Sequence, residues 1–126
     1  MIFGIGTDVV EVSRIHESIE KFGDTFARRI LSDSEFESYL QSSTQSRFLA
    51  KRFAAKEAFA KALGTGIGRG VSFQHFSVSN NADGAPQLAL SDYAAELAAK
   101  LGVNYIWLSI TDEQAYAAAT VILERQ

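Results

Sequence analysis

The first apolar run, residues 2–10, is short and rich in Ile, Val and Thr, which favours a strand. Ser13 is placed to cap a helix over residues 14–22 that carries Ile15, Ile19 and Phe22 on one side and stops at Gly23. A second helical stretch follows at residues 25–31. Ser32-Asp33-Ser34-Glu35 has the form of a capping box and opens a third helix ending near Gln41. The polar run 41–46 reads as a loop. Residues 47–63 predict the longest helix, with Gly64 as its stop. Residues 71–79 alternate, except that Phe73 and Phe76 are out of phase, which predicts a bulged strand. Asn81-Ala82-Asp83-Gly84 is a hairpin turn, and residues 87–90 are its return strand. Residues 92–101 predict an alanine-rich helix ended by Gly102. Strands at 105–111 and 117–124 close the chain, with Asp112, Glu113 and Gln114 in the turn between them. Strand, helices, strand pair, helix, strand pair is the order of an α+β fold with a mainly antiparallel sheet packed against helices. No linker or repeat interrupts residues 1–126, so a single domain is expected.

Composition narrows the chemistry. The chain has no cysteine, which excludes disulfide scaffolds, thiol nucleophiles, iron–sulfur clusters and Cys-based zinc sites. Two histidines exclude a three-histidine zinc site within one chain. A net charge of −3 argues against a general nucleic-acid binder. Yet between Arg14 and Arg69 the Lys and Arg outnumber the acids, while the rest of the chain is acidic. That asymmetry fits either a solvated surface or a basic face meeting an anionic partner. An acid at position 8 interrupts the apolar start too early for a membrane span or an export signal, so a cytoplasmic protein is expected.

The long helix carries the most specific pattern. Phe48, Ala55, Phe59, Ala62 and Leu63 form an ordinary core stripe at 100° per residue. Another side reads Ala50, Ala54, Glu57, Ala58 and Lys61, edged by Arg47 and Lys51. Alanines four apart make a shallow surface for close approach. Glu57 and Lys61 are i,i+4 in the favourable order. They are either a surface ion pair worth a few tenths of a kcal/mol or a carboxylate and an amine facing a ligand. Asp8 follows Gly4-Ile5-Gly6-Thr7, whose two glycines permit close approach by a helix or a ligand. Asp8 either bounds the strand or supplies a hard oxygen to Mg²⁺, a cation that takes one or two carboxylates and keeps waters and phosphates. Asp8 with Glu57 fits that pattern, and Glu11 is a candidate third. Gly64-Thr65-Gly66-Ile67-Gly68-Arg69-Gly70 is either a helix stop with a flexible connector or a loop offering amides to an anion. It is not a Walker loop, because it lacks Lys-Ser/Thr and follows a helix. His16 and His75 have no neighbouring serine elbow and read as surface or packing residues.

Phe3-Gly4-Ile5-Gly6-Thr7-Asp8-Val9-Val10-Glu11 resembles the opening of the holo-acyl-carrier-protein synthases, the small 4′-phosphopantetheinyl transferases. The run from Arg52 to Gly66 resembles that family's second motif, through Lys56-Glu57-Ala58-Phe59-Ala60-Lys61. Ser109-Ile110-Thr111-Asp112 and Tyr116-Ala117-Ala118-Ala119 follow the family too, so the likeness spans essentially the whole chain. It implies transfer of 4′-phosphopantetheine from coenzyme A to a serine of apo acyl carrier protein, supporting fatty acid biosynthesis. It implies Asp8 and Glu57 as Mg²⁺ ligands and Lys61 near the coenzyme A phosphates. It also implies Gly64, Thr65 and Gly66 around the coenzyme, Arg52 assisting with phosphate, and Arg14 docking the carrier. A homotrimer with sites between subunits is implied as well. Asp112 departs from relatives with histidine there, and an aspartate cannot bind phosphate without a cation, so it is left out of the catalytic set. Two rival readings stay open: a coenzyme-A-binding enzyme with another acceptor, and a non-catalytic module binding a nucleotide or an acidic partner.

Overall fold

A computed structural model describes residues 1–126. The elements are β1 (Ile2–Glu11), α1 (Val12–Phe22), α2 (Asp24–Ile30), α3 (Asp33–Gln41), α4 (Gln45–Leu63), β2 (Phe76–Asn80), β3 (Pro86–Leu90), α5 (Asp92–Lys100), β4 (Tyr105–Asp112) and β5 (Tyr116–Glu124). β5 lies between β1 and β4 and is antiparallel to both, while β2 and β3 form a separate antiparallel hairpin. The α+β class and the antiparallel pairing stand as expected. No helix is long and apolar enough to cross a membrane.

Local signals place most boundaries. The Ser32 hydroxyl accepts from the Glu35 amide at 3.5 Å while Glu35 Oε1 accepts from the Ser32 amide at 2.8 Å, so the capping box forms. Gly64 ends α4 in the left-handed conformation, at φ 90°. Two expectations change. α1 starts at Val12, not at residue 14, and Glu11 occupies the cap position without a side-chain cap. The strand passes straight into the helix, because the Val12 amide still bonds the Ala115 carbonyl. The phase break at Phe73 is a 3₁₀ turn, Phe73–His75, and not a bulge. Ser72 accepts there from the Gln74 amide, and His75 Nδ1 accepts from the Ser72 amide.

α4 is the centre of the molecule. Its Phe59 and Leu63 join Val71, Phe76, Val78, Val121 and Leu123 in one core cluster. Its Leu49 and Ala50 join Ile15, Ile30, Phe36 and Tyr39 in another. The alanine side read as a close-approach surface is core: Ala50, Ala54 and Ala58 are fully buried. Only Glu57, Lys61 and the N-terminal basic residues emerge from it.

Candidate active site

The site grows from the crossing of β1 and α4. Alternation along β1 puts Gly4, Gly6, Asp8 and Val10 on the face toward α4, and Ile5, Thr7 and Val9 on the other. A Cβ at Gly4 would lie 2.1 Å from the Ala62 carbonyl oxygen, and one at Gly6 would lie 1.9 Å from that of Ala58. Only glycine allows such an approach of backbone to backbone. As the strand number rises by two, the facing helix number falls by four. The two elements therefore run in opposite directions. Four helical residues rise about 6.0 Å and two strand residues about 6.6 Å, so the rows stay in step. The next strand position on that face is Asp8, which falls beside the exposed corner of α4 that carries Glu57 and Lys61.

Lys61 Nζ donates to Asp8 Oδ1 and to the Thr7 carbonyl, each at 3.0 Å. The i,i+4 ion pair between Glu57 and Lys61 does not form, since the lysine reaches across to the strand instead. Glu57 has no hydrogen-bond or ion-pair partner. Burial pushes its carboxyl above the ordinary carboxylate range, and the charge of Asp8 pushes it further, against a smaller opposing pull from Lys61. Two carboxylates held near one another, one of them unpartnered, suit a hard divalent cation. Glu11 is not a third ligand: β1 alternation turns it to the opposite face, where it accepts from the Ser13 hydroxyl at 3.5 Å. No group of three or more His, Cys, Asp or Glu that could hold a metal forms anywhere. Two protein oxygens leave room for waters and phosphate oxygens, the usual habit of Mg²⁺.

The glycine loop serves the helix end first. The amides of Gly64, Thr65 and Gly66 bond carbonyls of the last turn of α4, at Ala60 and Lys61, and the Gly68 amide bonds Val71. The reading of these amides as a free anion cradle therefore fails. Gly66, Gly68 and Gly70 hold positive φ, so the loop is a chain of bends next to Lys61. Arg52 lies apart from the Asp8 group. Its Nε is 3.6 Å from Glu35 Oε2, and its guanidinium stacks on Phe48, 4.6 Å from the ring centre. Burial lowers its pKa, against the opposing charge of Glu35. It lines a cleft of about 380 Å³ with Ser34, Ser38, Ser79 and Asn80. Arg14 is exposed on α1. Asp112 is accounted for structurally: Arg47 donates to its Oδ2 at 3.1 Å and to the carbonyls of Glu113 and Gln114, tying the β4–β5 turn to the start of α4. His16 bonds Ser46 at the surface.

Sequence reasoning missed the pairing of Lys56 with Glu35. Lys56 is fully buried, and its Nζ lies 2.6 Å from Glu35 Oε1. The available signal was its place four residues after Arg52 and three before Phe59, on the buried side of the helix.

Residues 4–121 match the family model of the 4′-phosphopantetheinyl transferase superfamily. The chain belongs to that superfamily. It is 56% identical over 126 residues to a holo-[acyl-carrier-protein] synthase of Vibrio cholerae, covering 100% of both chains. The crystal structure of the holo-[acyl-carrier-protein] synthase from Neisseria meningitidis superposes with a TM-score of 0.95 at 42% identity, over 99% of this chain and 100% of that one. The Bacillus anthracis holo-(acyl-carrier-protein) synthase, solved in complex with CoA (3′,5′-ADP), gives a TM-score of 0.84 at 38% identity, over 100% of this chain and 99% of that one. These two solved relatives share this fold along their whole length.

Proposed function

We infer that the protein is a holo-[acyl-carrier-protein] synthase. It transfers 4′-phosphopantetheine from coenzyme A to a serine of apo acyl carrier protein and releases adenosine 3′,5′-bisphosphate. The observation that carries this reading is the meeting of Asp8, Glu57 and Lys61 at one helix–strand crossing in a chain of this family. The serine oxygen of the carrier forms the new bond to phosphorus, and the bond from that phosphorus to the bridging oxygen of the pyrophosphate breaks. Such a displacement needs charge neutralisation and in-line positioning more than a nucleophile of the enzyme. Asp8 and Glu57 are the residues that would hold Mg²⁺. The chemistry this cation supplies when bound is neutralisation of charge on the pyrophosphate oxygens. Lys61, already bonded to Asp8, carries the positive charge that would meet the leaving phosphate.

Gly64, Thr65 and Gly66 would border the coenzyme, because their bends lie directly after Lys61. Arg52 would assist with a phosphate in the cleft it lines. Arg14 would dock the carrier. The neighbouring surface supports that role, with exposed Lys21 and Arg29 around a cleft of about 380 Å³ that Phe22 and Phe26 also line. A basic patch of this kind accelerates encounter with an acidic partner and weakens with salt. We take residues 1–126 as one domain, since α4 belongs to both core clusters. We further take the working form to be a homotrimer in the cytoplasm serving fatty acid biosynthesis. The apolar outer face of the sheet supports the assembly, and the cysteine-free sequence fits the reducing compartment.

The test is to incubate the protein with apo acyl carrier protein, coenzyme A and Mg²⁺ and weigh the intact carrier by mass spectrometry. A phosphopantetheine adduct that disappears with EDTA is the expected result. Coenzyme A binding with an unmodified carrier would point to another acceptor, and absence of both would overturn the reading.

A further inference from the structure

One residue before Glu57, and turned about 100° from it around the helix axis, Lys56 is held by a polar cluster inside the fold. Its Nζ donates to the Ile30 carbonyl at 2.6 Å, to Glu35 Oε1 at 2.6 Å and to the Phe73 carbonyl at 3.2 Å. All three ammonium donors are used. Glu35, 3% exposed, accepts from the Ser32 amide on Oε1 and from the Val78 amide, at 2.8 Å, on Oε2. The end of α2, the start of α3 and the 3₁₀ turn thus converge on one side chain of α4, and β2 joins them through Glu35.

The opposite contact of α4 is of another kind. The bare backbone of Gly4 and Gly6 lies against the backbone of Ala62 and Ala58. Close packing of this sort brings elements together but is non-directional. At Gly4 and Gly6 no large side chain indexes the rotation of the helix, and Lys61 ties α4 to β1 only from the exposed edge of the crossing. Hydrogen bonds to a buried ammonium are directional, and stripping them leaves a buried charge unpaired. A roll of about 20° moves a side-chain tip, about 6 Å from the axis, by roughly 2 Å. That displacement matters for a small cation with near-ideal octahedral demands.

We propose that Lys56 and Glu35 are positioning residues, whose buried ion pair fixes the roll of α4 and thereby holds the Glu57 carboxylate beside Asp8. The proposal rests on the reading of Asp8 and Glu57 as cation ligands. Buried pairs are often replaceable by apolar side chains without loss of folding, so a role in specifying geometry is separable from a role in stability.

The experiment compares wild type, Lys56→Arg and the double variant Glu35→Gln/Lys56→Met. Three quantities are read: the thermal melt, Mn²⁺ binding by electron paramagnetic resonance with coenzyme A present, and the dependence of carrier modification on Mg²⁺. The double variant is expected to melt cooperatively and to bind Mn²⁺ about tenfold or more weakly, the scale seen when residues that orient metal ligands are lost. Its KM for the carrier should stay near that of wild type. Lys56→Arg, which keeps the charge but not the three-donor geometry, should fall between the two. A merely structural pair would lower the melting temperature and leave the metal affinity of the folded molecules unaltered, and that result would overturn the proposal. If the double variant does not fold, Lys56→Arg decides on the same readouts. Wild-type protein that fails to bind Mn²⁺ overturns the ligand reading itself and the positioning role with it.

Discussion

Glu57 is held at a cost to the fold. Its carboxyl is half-buried, has no partner and sits in the field of Asp8. The sign of the resulting pH dependence is definite. An unfolded glutamate titrates near 4.5, and the folded value lies above that. Between the two, the folded protein holds a proton that the unfolded chain has released. The contribution of this group to stability is therefore full below pH 4.5 and is lost as pH rises through the folded value. Glu57→Gln removes the ionisation. Without added metal at neutral pH, the variant should melt slightly higher than wild type, by about 2 °C for roughly half a kcal/mol in a domain of this size. Solvent at the half-buried site keeps the gain small. The same variant should lose Mg²⁺-dependent modification of the carrier. Differential scanning fluorimetry at pH 5 and pH 8 checks the first part: a melting temperature of Glu57→Gln below that of wild type at pH 8 contradicts it. At this scale Asp8, Glu57 and Lys61 were all legible as chemistry-bearing residues. Asp8 and Glu57 were joined as a carboxylate pair, but the bond of Lys61 to Asp8 was not foreseen, because helix periodicity alone offers Glu57 as the partner of Lys61. Lys56 was missed for a related reason. A lysine in a charged helix reads as solvent-facing until the glutamate of a distant capping box is known to point at it.

At the scale of elements, a backbone-to-backbone contact that only glycine allows is the one that builds the site. Gly-x-Gly-x-Asp has a period of two, and Ala58-x-x-x-Ala62 has a period of four. The two match in length along a crossing strand and helix, as the Gly4–Ala62 and Gly6–Ala58 contacts show. The glycine pattern and the possibility of close approach were visible in the sequence, but the alanine spacing was read at Ala50, Ala54 and Ala58, with Ala62 on the other side of the helix. What the sequence left open was whether the approaching surface was a helix or a ligand, because that depends on which distant element fills the space. Gly6→Ala tests the contact. The new Cβ would meet backbone atoms, 1.9 Å from the Ala58 oxygen and 2.7 Å from the Ala62 nitrogen, and backbone cannot rotate away as a side chain does. Strand and helix must separate instead. The expected loss is about 3 kcal/mol, the upper range for overpacking a tight core, read as a lower urea midpoint at unchanged slope. Because Asp8 and Glu57 sit on the separating elements, the molecules that still fold should also need more Mg²⁺. Wild-type stability in Gly6→Ala would mean that the two elements do not meet as described.

For the whole molecule, the three-stranded sheet has one face too many. α4 covers one side. The other carries Ile5, 59% exposed, Val9, 65% exposed, and Trp107, 57% exposed. Register lines Ile5 up with Ile122 of β5 and then with Trp107 of β4 in one continuous apolar row, while Val9 lies two rows on, beside Ala118. The row between, Thr7–Thr120–Ser109, is made of hydroxyls. An antiparallel sheet that faces water on one side is normally polar there, and a contiguous apolar row on a monomer marks an interaction surface. Assembly of copies through this face would also bring a neighbour close to the Asp8 strand, which lies at the edge of the sheet. Val9→Lys tests the assembly without touching the site, because Val9 points away from Asp8 along the strand. On an exposed edge position a lysine costs the monomer less than about 0.5 kcal/mol, but three copies would place like charges in a desolvated contact. Sedimentation should show a trimer for wild type and a monomer for Val9→Lys, with matching circular dichroism. Specific activity should fall in the variant, and fall in wild type on dilution through the dissociation range. Wild-type protein that sediments as a monomer at assay concentration would refute the assembly. A folded, monomeric Val9→Lys with full specific activity would instead confine the whole site to one chain, and the apolar face would then need a partner other than a second copy.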